Sequence, residues 1–301
     1  MTNILLLVVC FAAGILLRCT GRFPDNTPTA LNGFIIHVSL PALALLHIHR
    51  LQVDTNLLFT TAMAWLLFGI GALFFRQAGR LLRLDKETIG ALMLVGGLGN
   101  TSFVGLPMIE AYYGREYLGI GLIADQLGSF LVLSTLGIFT ATLYSTGEVS
   151  ARQIVRKVLF FPPFQALVLA LLLKPVQLPP AAVPVLQKLG DTLTPLALAS
   201  VGFQLRLSHL RGELLPLGIG LLFKLLLGPV IVALVFVGLF GGHGPIMQVT
   251  IFEAAMAPMI TAGIIAVDHR LNPPLVTLML GIGIPLSFLT LPVWWWSLRG
   301  I

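Results

Sequence analysis

Gly96-Gly97-Leu98-Gly99-Asn100-Thr101-Ser102-Phe103-Val104-Gly105-Leu106-Pro107 falls inside an apolar run that extends roughly from residue 88 to 111. Glycine weakens a helix interior, and proline removes a backbone N–H and crowds the carbonyl one turn back. So many breakers in one stretch predict an unwound segment rather than a kink. In lipid, freed backbone groups must find partners, so such a segment survives only where protein or a wet cavity surrounds it.

The surrounding composition says that the solvent is lipid. Of 301 residues, 57% are hydrophobic and only 10% charged, and the mean hydropathy is +0.97. A water-soluble domain carries about 25% charged residues, so this chain cannot coat a soluble surface of its size. That excludes a soluble enzyme, a nucleic-acid-binding domain and a disordered chain. Cys10 and Cys19 stand nine positions apart, about 13 Å along one helix, too far for a disulfide. No Cys/His zinc spacing occurs. Residues 1–14 lack a basic segment, so no cleaved signal is expected.

Apolar stretches bounded by charge, Pro and Gly predict ten spans, at 3–19, 29–47, 57–76, 88–111, 117–143, 155–173, 183–205, 213–239, 246–267 and 274–298. Each is close to the ~20 residues that a membrane helix needs. The ninth span contains Glu253-Ala254-Ala255-Met256-Ala257-Pro258, whose proline follows Pro107 by 151 residues. The second contains Ser39-Leu40-Pro41-Ala42-Leu43 and the seventh Thr194-Pro195-Leu196-Ala197-Leu198, with prolines 154 apart. Matched breaks at nearly one offset predict a duplication, 1–150 and 151–301, each with five helices. An odd number of spans inverts the second copy. The expected fold is therefore an all-α integral membrane protein of ten transmembrane helices, as two inverted repeats with broken crossover helices 4 and 9. Such paired breaks point to a transporter's midplane site.

Twelve basic residues fall in the odd-numbered connectors: Arg18, Arg22, Arg76, Arg80, Arg83, Lys86, Arg152, Arg156, Lys157, Arg206, Arg211 and Arg270. Five fall on the other side: Arg50, Arg115, Lys174, Lys188 and Arg299. The positive-inside rule then predicts cytoplasmic odd connectors and extracytoplasmic termini. Tyr112, Tyr113, Tyr117 and Trp294-Trp295-Trp296 read as an aromatic belt at the outer surface.

Ionisable residues inside spans are costly and mark pathways. Glu253 sits at the ninth-span break, Asp125 with Gln126 and Ser129 lies in the fifth span, and Lys224 is eleven residues into the eighth. One reading has Glu253 and Asp125 binding or exchanging a cation with Asn100, Thr101 and Ser129 as neutral ligands. The other has Lys224 simply neutralising a carboxylate. His37 and Gln204 read as packed groups, and Glu110, Arg115 and Glu116 as solvated connector charges.

Asn100-Thr101-Ser102-Phe103-Val104-Gly105-Leu106-Pro107-Met108, closed by Tyr113-Gly114, resembles the Asn-Thr-x-x-x-Gly-x-Pro crossover of the auxin efflux carrier family. Leu31-Asn32-Gly33-Phe34 leading to Ser39-Leu40-Pro41, Lys224-Leu225-Leu226-Leu227-Gly228-Pro229 and Ala254-Ala255-Met256-Ala257-Pro258 are similar to its helices two, eight and nine. The resemblance covers nearly the whole chain. It implies a fold shared with bile acid:sodium symporters, with helices 1, 2, 6 and 7 as a scaffold panel and 3–5 and 8–10 as a moving core. It also implies organic-anion substrates. The short segment Tyr144–Lys157 matches a compact prokaryotic-type member. Glu253 departs from the plant pattern and is similar to the sodium-binding Glu of the symporters.

The leading expectation is a secondary transporter, not an enzyme, that moves a small carboxylate by alternating access with Na+ coupling in the cell inner membrane. Proton coupling or uniport is the alternative, and an ion channel a more distant one. Candidate substrate-binding residues are Asn100, Thr101, Gly105, Pro107, Met256, Pro258, Ser39 and Pro41. Candidate cation-binding or proton-coupling residues are Glu253, Asp125, Gln126, Ser129 and Lys224, with Glu253, Asp125, Ser129 and Asn100 as Na+ ligands. No cofactor is expected beyond Na+ as coupling ion. The expected partners are the organic anion and the bilayer, not nucleic acid, with a homodimer left open.

Overall fold

The computed structural model describes residues 2–49, 51, 54–145, 151–205 and 213–301. Arg50, Arg206 and Arg211 of the basic-residue count lie outside them. All regular structure among the described residues is helical: α1 (Thr2–Cys19), α2 (Thr27–Ile48), α3 (Leu57–Leu81), α4 (86–96), α5 (101–112), α6 (Arg115–Tyr144), α7 (Ala151–Leu159), α8 (Pro162–Leu172), α9 (Ala182–Gly190), α10 (Leu193–Gln204), α11 (Leu214–Leu239), α12 (Pro245–Ala254), α13 (Ile260–Asp268) and α14 (Pro273–Leu298).

Five of these, α2, α3, α6, α11 and α14, are long and apolar enough to cross a membrane. Shorter apolar helices cover Leu5–Cys19 and Pro162–Leu172. The protein is therefore a multi-pass membrane protein. Four of the remaining expected spans are divided. The breaks expected in the fourth and ninth lie at 97–100 and 255–259. Two more interruptions were not expected. The sixth span parts at Phe160–Phe161, where Phe161 is extended (φ −77°, ψ 115°) ahead of Pro162 and Pro163. A residue before proline is driven out of the helical region in just this way. The seventh parts at Asp191–Thr192, one turn ahead of Pro195.

The second span corrects the opposite expectation, because Pro41 does not break it. A π turn over Ile35–Ser39 lets the Leu40 N–H reach back five residues to the Ile35 carbonyl, and a second follows at Ala44–Ile48. The widened turns carry the chain past the missing N–H. The Pro41–Pro195 pair therefore does not mark two matching breaks. Within the fourth span the unwound residues are 97–100. Gly105 is helical (φ −60°, ψ −56°), and Pro107 sits in the first turn of a continuing helix.

Two compact units divide the chain. One comprises Met1–Asp54, Ser102–Leu122 and Val155–Leu205; the other comprises Thr55–Thr101, Ile123–Ile154 and Arg206–Ile301. In the first, α1 packs along α10 with almost no gap. A Cβ at Gly14 would stand 2.1 Å from the Ala199 carbonyl oxygen, and one at Gly202 would stand 2.2 Å from that of Phe11. Small residues let membrane helices approach this closely, which maximises dispersion contact where lipid supplies no hydrophobic drive. The Arg18 guanidinium donates to the Leu205 carbonyl at the end of this pair. The second unit packs α3 against α6, α11 and α12, with Phe74 and Phe75 on Phe223 at ring-centroid distances of 4.9 Å.

Candidate functional site

In the second unit the two unwound segments cross. The Asn100 N–H donates to the Ala257 carbonyl at 2.8 Å, and the Met259 N–H donates to the Leu98 carbonyl at 3.2 Å. Gly99 and Pro258 face each other as an antiparallel bridge. Backbone groups released by one broken helix are thus partnered by those released from the other. Deep burial demands this: an unpaired amide away from water costs a few kcal/mol. Leu98, Asn100, Met256 and Ala257 are all buried. The glycines and prolines set where each helix unwinds, and the crossing makes the unwinding tolerable.

Around this bridge the structure gathers most of the ionisable residues expected to matter. Asp125, Gln126 and Ser129 lie on one π turn of α6, residues 124–130, and all are buried. Thr101 donates its hydroxyl to Asp125 Oδ1 at 2.6 Å, and Gln126 Nε2 donates to Asp125 Oδ2 at 2.6 Å. Asp125 is therefore a hydrogen-bonded carboxylate tied to the first residue of the half-helix α5. Lys224 lies on a π turn of α11, residues 223–227. It is wholly buried and gives its ammonium to the Ala254 carbonyl at 2.7 Å. π turns inside otherwise regular helices recur at functional sites because they re-aim side chains.

Glu253 is the exception in this cluster. It is 0% exposed, and among the described residues neither carboxylate oxygen has a hydrogen-bond partner. It feels the charges of both Asp125 and Lys224. Lys224 spends its hydrogen bond on the backbone beside Glu253 rather than on the carboxylate. Gln126 Oε1 is likewise buried, with no hydrogen-bond partner among the described residues.

Ser39, Pro41, Gly105 and Pro107 belong to the other unit. There the Ser39 hydroxyl shares a 2.7 Å hydrogen bond with Thr192. In that unit Arg115 bridges Glu110 at 2.7 Å and Asp191 at 2.9 Å, and Thr194 donates to Glu110 at 2.8 Å. Glu110 and Arg115 are thus networked rather than simply solvated. In the second unit, sequence reading missed the buried pair Thr60–Thr250, whose hydroxyls lie 2.7 Å apart and join α3 to α12. Hydroxyl residues within apolar spans, such as Thr60 beside Thr61, are too common to single out.

Buried charges held at the crossing of two broken helices, within a multi-pass helical chain, define a membrane transport protein. The family profile described as "Membrane transport protein" matches residues 1–150 and again 145–295. The chain belongs to this auxin efflux carrier-type membrane transport family. It is similar to an uncharacterized transporter of Methanothermobacter thermautotrophicus, 26% identical over 300 residues, covering 97% of this chain and 96% of the relative. It is also similar to an uncharacterized transporter of Methanocaldococcus jannaschii, 22% identical over 307 residues, covering 99% and 98%.

Proposed function

We propose that this protein is a secondary transporter that carries a small organic anion by alternating access and couples it to a cation taken up at Glu253. The supporting observation is the fully buried Glu253 carboxylate, with no hydrogen-bond donor on either oxygen among the described residues. A buried carboxylate without a donor is costly unless positive charge joins it, and a mobile cation supplies that charge. Asn100 and Thr101 stand at the start of the half-helix α5, whose positive dipole end suits a carboxylate. Met256 and Pro258 shape the backbone opposite. Sodium is the leading coupling ion, with Glu253, Asp125, Ser129 and Asn100 as its oxygen ligands.

A proton is the second reading, and one observation favours it. Both Asp125 oxygens already accept hydrogen bonds, whereas Glu253 has no donor among the described residues; a proton would neutralise its charge and make one of its oxygens a donor. The membrane placement that accompanies either reading is the cell inner membrane with both termini outside.

The test is flux in proteoliposomes with a panel of radiolabelled organic acids. Sodium coupling predicts uptake driven by an imposed Na+ gradient and co-transport of ²²Na+. Equal uptake with choline replacing Na+ removes sodium, and equal uptake with and without a pH gradient removes the proton. Single-channel currents far above carrier turnover would overturn the carrier itself.

A further inference from the structure

We infer that the Lys224 ammonium occupies, as a tethered cation, a seat built from the crossing backbone, and that a mobile monovalent cation competes with it there. This deepens the coupling proposed above and rests on that reading only for its physiological meaning.

The seat is defined by three features. Ala254 is the last residue of α12, so its carbonyl belongs to the helix end that lacks intrahelical donors and carries the negative pole of the dipole. Lys224 Nζ binds that oxygen at 2.7 Å. Opposite lies Gly99, where a Cβ would sit only 3.2 Å from Nζ and 3.4 Å from the Glu253 carbonyl oxygen. A side chain at position 99 would crowd the ammonium, which lies against the glycine. The residue before Ala254 is Glu253, whose carboxylate is wholly buried and without a hydrogen-bond partner among the described residues.

Carbonyl oxygens at a half-helix C-terminus with a carboxylate alongside are the ligands that membrane transporters offer to Na+ or H+. Here a side-chain ammonium already holds the carbonyl. A second cation at the same oxygens would meet a like charge in a low-dielectric interior, where repulsion is strong. A mobile cation therefore gains full access to this seat only when Lys224 withdraws, and the native chain binds it weakly.

The test reads binding and needs no organic substrate. Purified full-length protein is unfolded thermally across a NaCl series at constant ionic strength, with choline chloride as the balancing salt. Lys224→Met keeps an unbranched stem that ends one atom short of Nζ and removes the charge. It is expected to be stabilised by Na+ with a half-saturation at least about ten-fold below that of the native chain, a difference of about 1.4 kcal/mol in binding. Lys224→Arg is expected to keep the native response. Identical Na+ responses in native and Lys224→Met protein would overturn the inference. If Lys224→Met does not fold, Lys224→Gln decides. It removes the charge with a polar side chain and should likewise lower the Na+ half-saturation; a response equal to that of the native chain would refute the tethered-cation seat. Absence of transport in proteoliposomes, with the cation shift intact, would count against the proposed coupling and leave the seat standing.

Discussion

The Asn100 N–H meets the Ala257 carbonyl at 2.8 Å, so the break in one half of the chain is closed by the break in the other. Neither segment could remain unwound in an apolar interior alone, because each would leave buried amides unpaired. The site's ionisable residues are arranged around this mutual repair.

Asp125 accepts from Thr101 and Gln126 at 2.6 Å each. Asp125→Asn turns one acceptor into a donor and strands a buried hydrogen-bonding group. The expected loss is about 1–3 kcal/mol of stability, together with a large fall in transport. Thr101→Val should cost less. In a double-mutant cycle read by chemical denaturation, the two should couple by about 0.5–3 kcal/mol. Strict additivity would contradict the contact.

Glu253→Gln removes a buried charge that has no hydrogen-bond donor among the described residues. The variant is expected to unfold at a temperature no lower than the native protein while cation-dependent uptake is lost. A protein that is stable and inactive would separate a coupling role from a packing role. Full retention of cation-dependent uptake would exclude Glu253 from coupling.

Thr60 and Thr250 share a buried hydroxyl contact of 2.7 Å. Thr250 also donates to the Ile246 carbonyl at 2.8 Å, so Thr60→Val leaves it bonded, whereas Thr250→Val takes away the partner of Thr60. Thr250→Val should cost about 1–3 kcal/mol and Thr60→Val less, and the double variant should cost less than their sum.

The contact between α1 and α10 requires glycine at Gly14 and Gly202. Gly14→Leu would drive a side chain into the Ala199 carbonyl, which already lies 2.1 Å from the Cβ position. Overpacking typically costs about 1–3 kcal/mol, and a clash with backbone costs more. Poor accumulation in the membrane is expected. Gly33→Ala, where nothing lies within 4 Å of the Cβ position, is the matched control and should behave as native protein.

Cys19 is free and exposed at the end of α1. If the basic connectors face the cytoplasm, an impermeant maleimide should label Cys19 in right-side-out vesicles only after permeabilisation. A Cys10→Ser background makes the signal unambiguous. Labelling of intact vesicles would invert the orientation.

The sequence by itself determined that the chain belongs in lipid, where its long helices run, and that the fourth and ninth spans unwind. Scarcity of charge, apolar run length and the Gly and Pro clusters are local quantities, and lipid enforces them directly. The same local reading named Asp125, Lys224 and Glu253, since an ionisable side chain in an apolar run is conspicuous without any contact being known. It misjudged Pro41, because a π turn can absorb a missing N–H. It also passed over the breaks at Phe160–Phe161 and Asp191–Thr192, which begin ahead of their prolines. Only the tertiary structure decided who partners whom: that Asn100 bonds Ala257, that Asp125 belongs to Thr101 and Gln126, and that Lys224 turns to the Ala254 carbonyl while Glu253 has no donor among the described residues. These pairings join residues up to 157 positions apart. Their energies depend on distance and burial in space, which composition and spacing along the chain do not encode.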